Sequence, residues 1–271
     1  MNARAMFAIA RKDLKVVSQN KNVLMPIIII MVVFFVVIPW LTALMPTLIN
    51  VAGSKMDGVE ALLARMPAGM QQEMAGYTLS QKITALFLVY MMLPLFLLLP
   101  VMVASLIAAD SFAGEKERKT LEALLYTPTS DRELLIAKLL SGWLAAIAVG
   151  LGGFVLYTIN VNAASWSQMR HIFFPNAMWL ALIVWVIPAL SGLGVAMIVL
   201  VSSRAQGFQD ANQMGGIAVL PIVGLFYAQV AGAVFFNTAI VLLMGLIVWL
   251  LTGLLIWLGS RSFRRNRLLA A

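Results

Sequence analysis

Long apolar runs broken by short polar intervals dominate the chain. Six of them, at 23–48, 83–109, 138–159, 176–201, 212–236 and 238–259, are long enough to cross a bilayer, which takes about 20 mostly apolar residues as a helix. A helix satisfies its own backbone hydrogen bonds in lipid, so runs of this length favour helices. Alternating apolar and polar positions, the mark of a membrane barrel strand, are absent. The pattern predicts an all-α integral membrane protein with six transmembrane helices. The boundary at Asn237 is the weakest, because the fifth segment could also re-enter near 230–237 and leave a short hairpin on the outer side.

The intervals carry patterns of their own. In residues 1–20, Met6, Ile9, Ala10, Leu14 and Val17 share one helical side, and Arg4, Arg11, Lys12 and Lys15 the other. That spacing predicts an amphipathic helix on the cytoplasmic membrane face, or a basic leader that only sets topology. Asp13 falls on the apolar side and weakens the pattern. The loop 51–82 repeats Val59, Leu62, Leu63, Met66 and Met70 at helical spacing around Pro67, which predicts a broken amphipathic helix on the outer surface. Pro39, Pro94, Pro100, Pro188 and Pro221 lie inside spans, where each removes a hydrogen bond and kinks the rod. The expected division is 1–22 as the amphipathic segment, 23–260 as one six-helix membrane domain and 261–271 as a basic tail.

Composition sharpens the class. Hydrophobic residues make up 62% and charged residues 11% of the chain, with a mean hydropathy of +0.95, whereas a soluble domain is about a quarter charged. Lipid is therefore the solvent for most of these side chains. The net charge of +8 is distributed as a membrane protein requires rather than as a nucleic-acid-binding one. Fifteen Lys and Arg residues fall on one side of the six spans. Only Lys55, Arg65, Lys82 and Arg170 fall on the other. The positive-inside rule places both termini in the cytoplasm, with the surplus charge meeting anionic headgroups.

Missing chemistry narrows the function. No ionisable residue lies in the central part of a predicted span, which disfavours proton- or ion-coupled transport. There is no cysteine, one histidine (His171), and no intramembrane nucleophile–base pair or aspartate pair. A phosphate-binding loop of the G-x-x-x-x-G-K-[ST] type is absent too, so energy for uphill transport would have to come from another chain. A membrane-embedded enzyme and a structural or channel-like protein are the alternatives from other classes.

One interval is densely charged. "GEKERKTLEALLYTPTSDRELLIAK" runs from Gly114 to Lys138 between the second and third spans. Leu121, Leu124 and Leu125 follow i, i+3, i+4 spacing, while Glu115, Lys116, Arg118, Lys119 and Glu122 cover the other faces. Pro128 disfavours helix at Thr127, and Ser130 with Glu133 forms a capping box that restarts one. A stopped helix, a turn and a capped restart predict a rigid cytoplasmic protrusion, where a plain solvated loop is the bland alternative.

This stretch resembles the G-E-K-E-R-x-T-L-E-x-L-L-x-x-P motif of ABC-2 type transporter permeases, in the branch of sodium-efflux and multidrug-type permeases. Gly114, Glu115, Lys116, Glu117, Arg118, Thr120, Leu121, Glu122, Leu124, Leu125 and Pro128 occupy motif positions, and Lys119 stands where glycine is common. The resemblance implies an export permease in a prokaryotic inner or plasma membrane. Its motif would form a coupling helix, within 114–130, that docks on a separate ATP-binding cassette subunit. It also implies two ATPase copies carrying the ATP and magnesium, and a second permease copy or paralogue across the path. No cofactor is expected in this chain and no nucleic-acid partner. The outer loop is short and the ATPase is not fused, unlike in some relatives. The cargo is left open. Met91, Met92, Phe87, Phe96, Tyr90, Trp143, Trp185, Phe226 and Tyr227 suggest an adaptable apolar wall suited to a lipid, drug or peptide, or simply packing and lipid-facing positions.

Overall fold

A computed structural model describes residues 3–52, 57–118, 131–202, 205 and 207–262. Among the described residues the protein is helical throughout, with no strand. Six helices are long and apolar enough to cross a membrane: Leu24–Met45, Leu79–Glu117, Glu133–Ala164, Ala177–Val201, Phe208–Val230 and Thr238–Gly259. The number agrees with the hydrophobic pattern, but two lengths do not. The second helix has 39 residues and the third 32, or roughly 58 and 48 Å at 1.5 Å per residue, against a hydrocarbon core of about 30 Å. Hydropathy finds where lipid begins. It does not find where a helix ends.

Burial sorts the spans. The second and fourth are enclosed by the others, whereas the first, fifth and sixth are largely exposed. Val184, Leu220, Leu243 and Leu250 point outward, as lipid-facing side chains do when helices meet without a hydrophobic driving force between them. The second and fourth spans pack along each other, and the third packs against both. At the centre, Phe35, Phe96, Tyr157, Phe174 and Trp179 form an aromatic cluster, with Phe174 and Trp179 centroids 4.9 Å apart and edge-on.

Local details correct three expectations. The outer segment is broken at Pro67 into helices Asp57–Ala64 and Ala68–Glu73, as its spacing predicts. Met66, Met70 and Met74 are buried, and Arg65 Nη1 donates to the Ala231 carbonyl at 3.3 Å, so this cap is locked to the bundle. The fifth helix ends at Val230, not near 236. Residues 231–237 hold no helix, and Asn237 Oδ1 accepts the Ile240 N–H to open the sixth. The N-terminal helix Ala3–Gln19 lies along the third span with Ala10 and Asp13 buried, while Phe7 is 71% exposed. Asp13 marks the protein-facing side rather than a flaw in a lipid-facing one.

The nine residues read as an apolar cargo wall do not converge. Tyr90, Met91 and Phe96 are core residues, Trp185 packs on Trp249, and Tyr227 points outward. A cleft of about 520 Å³ instead lies between the first, second and fifth spans. Its lining includes Ile30, Met102, Ser105, Phe208, Asn212 and Gln213, and none of the nine.

Candidate functional site

The second span does not stop at the membrane. After Ala109 its helix widens into a π turn, Asp110–Gly114, and continues as Glu115–Glu117. Such a turn shifts the backbone ladder by one residue and recurs at functional positions. The Glu115 N–H goes to the carbonyls of Asp110 and Phe112, leaving that of Ser111 without its α-helical donor.

Lys138, the first residue of the third apolar run, fills that vacancy. Its side chain is 0% exposed. The ammonium donates to the Ser111 carbonyl at 2.5 Å, to Ser111 Oγ at 3.1 Å and to Glu115 Oε2 at 2.6 Å. Three protons meet three acceptors, which is the full capacity of the group. Asp13 of the N-terminal helix closes the cluster from the other side. Its Oδ2 accepts from Ser111 Oγ at 2.8 Å, lies 3.4 Å from Ser141 Oγ and 3.9 Å from Lys138 Nζ. Lys12 pairs with Glu115 Oε1 and lies 3.5 Å from Asp13 Oδ1.

Two carboxylates and two ammonium groups thus meet from three elements, and their charges balance. Balance is what makes the burial tolerable, since an unpaired charge here would carry the full desolvation penalty. Burial alone would lower the pKa of Lys12. Pairing with Glu115 and then Asp13 outweighs it and holds Lys12 above the ordinary 10.5. The lysine stays charged across any physiological pH.

Arg118 and Glu117 reach outward from the same turn. Arg118 Nη1 bonds Asp110 Oδ1 at 3.0 Å, folding back over Gly114. A Cβ on Gly114 would come within 3.0 Å of Asp110 Oδ1 and 3.2 Å of Arg118 Nη2, so the glycine leaves room for that pair. Glu117 Oε2 accepts the Phe208 N–H at 3.0 Å. It supplies an N-terminal cap to the fifth span across the chain, because the residue in the cap position, Gly207, has no side chain. A Cβ on Gly207 would lie 2.7 Å from that carboxylate oxygen.

The motif's first five residues, Gly114 to Arg118, are therefore built into the bundle. Glu115 was expected on an open face of a short helix. It is buried, because Lys138 and Lys12 draw it inward. Thr120, Leu121, Glu122, Leu124, Leu125, Pro128 and Ser130 lie outside the described residues, and with them the leucine face and half of the capping box. Glu133 stands partly buried in the first turn of the third span's helix, which begins at Asp131. Asp13, Asp110, Ser111, Lys138 and Ser141 were not read as site residues from sequence. Lys138 closes the charged stretch, and Asp13 is the one polar residue on an apolar helix side; both were signals.

Residues 7–267 match the family described as ABC-2 family transporter protein. The chain belongs to that family. A curated relative, the ABC transporter permease protein NatB of Bacillus subtilis (strain 168), is 29% identical over 171 residues, which are 59% of this chain and 42% of that protein. The chain therefore spans less than half of that relative's length. For an ABC-2 family protein, the cluster joins three parts that the sequence keeps far apart: the N-terminal helix, the C-terminal end of the second span and the start of the third. Lys138 meets Ser111 Oγ as a charged donor, and Asp13 takes the serine's own proton; no group of metal-binding side chains occurs among the described residues. Its chemistry is mechanical. It fixes one helix end against another.

Proposed function

We propose that this chain is the permease subunit of an ABC exporter, driven by a separate ATPase that docks on the segment 115–126, with both termini in the cytoplasm and a second permease copy or paralogue completing the path. ATP and magnesium belong to the ATPase, two copies of which serve the complex. The observation that carries this is the anchoring of the charged motif. Gly114–Glu117 continues a span helix without a break, and Lys138, Lys12 and Phe208 hold it at three points. A force applied just beyond Arg118 would reach the second, third and fifth spans and the N-terminal helix together. A solvated connector would have no need of a buried ion cluster at its root. The 520 Å³ cleft beside the second and fifth spans opens next to this anchor, and its mixed lining of methionine, leucine, asparagine and glutamine suits an amphipathic cargo.

The test uses the apolar face beyond the anchor. Leu121→Asp or Leu125→Asp should remove the ATPase that co-elutes with the tagged permease from native membranes, with the permease still monodisperse. Unchanged co-elution and unchanged ATP hydrolysis in both variants would reduce the segment to a connector.

A further inference from the structure

The second span carries another π turn, Leu86–Met91, near its outer end. Here too the backbone ladder slips. The Met92 N–H goes to the carbonyls of Phe87 and Tyr90 and not to that of Leu88. Pro94 follows, with no N–H to offer Tyr90 in the α-helical register. The Leu88 carbonyl thus loses its α-helical donor and the Tyr90 carbonyl keeps only the short-range Met92 N–H; under-satisfied carbonyls inside a membrane are costly, so further donors are favoured there.

Three side chains from three other spans supply them, on three consecutive residues. Tyr157 Oη of the third span donates to Leu88 O at 2.5 Å. Trp179 Nε1 of the fourth donates to Val89 O at 2.8 Å. Gln229 Nε2 of the fifth donates to Tyr90 O at 2.9 Å. All three donors are buried. Coincidence is a poor account of three uncharged donors converging on one widened turn.

The three are not equivalent. Tyr157 and Trp179 stack on each other, 5.3 Å between centroids, inside the aromatic cluster that also holds Phe96 of the second span. They can leave the turn only if the core comes apart. Gln229 sits on a span that is mostly exposed, one residue before its helix ends. Its Oε1 is buried with no partner. A buried amide satisfied at one end only is under-used in this arrangement and has a bond to gain in another.

We propose that Leu86–Met91 is a hinge in the second span and that Tyr157, Trp179 and Gln229 are positioning residues that set its register. The Gln229 bond is the one exchanged when the fifth span moves. With the bond made, the wide turn is locked. With it broken, Tyr90 O is released, and the outer part of the second span can swing on Pro94. This deepens the exporter assignment by naming where a span would bend, and it depends on that assignment only for what drives the motion.

Deuterium uptake over residues 86–96 tests it, on protein purified from native membranes with its accompanying ATPase. Loss of one buried hydrogen bond shifts a local opening equilibrium by about tenfold. Gln229→Leu should therefore exchange about tenfold faster over 86–93, with 104–117 unchanged. Gln229→Glu should restore slow exchange, because a buried acid stays neutral and keeps a donor at the same reach. Trapping with ATP and vanadate should move the wild type toward the Leu variant. Wild-type exchange in Gln229→Leu would overturn the hinge. So would an equal rise in the Leu and Glu variants, which would make Gln229 a packing residue alone. An unresponsive 86–96 peptide in vanadate-trapped wild type would overturn the exchange step. A preparation without vanadate-sensitive hydrolysis would count against the exporter assignment, and the variant comparison, which needs no nucleotide, would still decide the hinge.

Discussion

Replacing Lys138 by methionine removes the ammonium at the centre of the buried ion cluster and keeps most of the side chain's volume. The attraction it loses can be sized from the geometry. With an effective dielectric of about 20, a pair at 2.6 Å is worth about 6 kcal/mol and one at 3.9 Å about 4 kcal/mol. Burying each ion costs several kcal/mol in the opposite direction. The native cluster is therefore no great source of stability, but the variant is badly placed. Of the four charges placed in the cluster it keeps Asp13, Glu115 and Lys12, a net charge of −1 in a buried setting. Breaking one side of a buried pair typically costs about 3–5 kcal/mol. At about 2–4 °C per kcal/mol for a chain of this size, Lys138→Met should melt roughly 6–20 °C below wild type in a thermal scan followed by size-exclusion chromatography. Adding Glu115→Gln restores neutrality, so the double variant should recover at least half of the loss. A single variant melting within about 2 °C of wild type would refute the cluster as the anchor of the motif. Strictly additive losses in the double variant would do the same.

Two further outcomes follow from the same geometry and from the charge pattern. Gly207→Ala should push Glu117 off the Phe208 N–H, since its Cβ would sit 2.7 Å from Oε2; a lost cap is worth about 1 kcal/mol, and Glu117→Ala should cost no more when combined with it, as a double-mutant cycle of melting temperatures would show. Single cysteines at Ser54 and Ser262 should label oppositely with a membrane-impermeant maleimide in intact cells, Ser54 reacting and Ser262 protected; the reverse result would invert the topology, and equal labelling would mean an odd number of spans.

The spans were legible because lipid imposes a simple rule, about 20 apolar residues in a row, and the chain obeys it six times. The charged motif was legible for the opposite reason, as polarity with no excuse in an apolar neighbourhood. The cluster that roots it was harder to see. Asp13, Ser111 and Lys138 are separated by tens of residues, and each looks like an ordinary interfacial polar residue until the helices are packed. Counting Lys138 among the charges that face headgroups was reasonable by position and wrong by burial, since its side chain reaches no water at all. The π turns left even less trace. No residue type requires one, and their signature is a displaced hydrogen bond rather than a pattern of side chains. Only Pro94 hinted at irregularity, and a proline in a membrane helix is too common to be decisive.

Both π turns of the second span are treated alike by the third. At the inner turn the Ser111 carbonyl loses the Glu115 N–H and receives Lys138; at the outer turn the Leu88 carbonyl loses the Met92 N–H and receives Tyr157. Residues 88 and 111 are separated by roughly 34 Å of helix at 1.5 Å per residue, close to the thickness of the hydrocarbon core. The second and third spans are therefore pinned to each other at two points about one hydrocarbon thickness apart, with a charged donor at one and an uncharged donor at the other. The choice of donor follows the surroundings. At the inner turn the lysine is neutralised by two carboxylates, whereas at the outer turn the nearby Glu73 carboxylate is engaged by Tyr90 Oη and the donors to the carbonyls are uncharged. In the proposed exporter, motion fed in at Arg118 is resisted between the second and third spans as far as the Leu86–Met91 turn. It must appear where the pinning is weakest, against the fifth span, which is held by the Glu117 cap at one end and the Gln229 amide at the other.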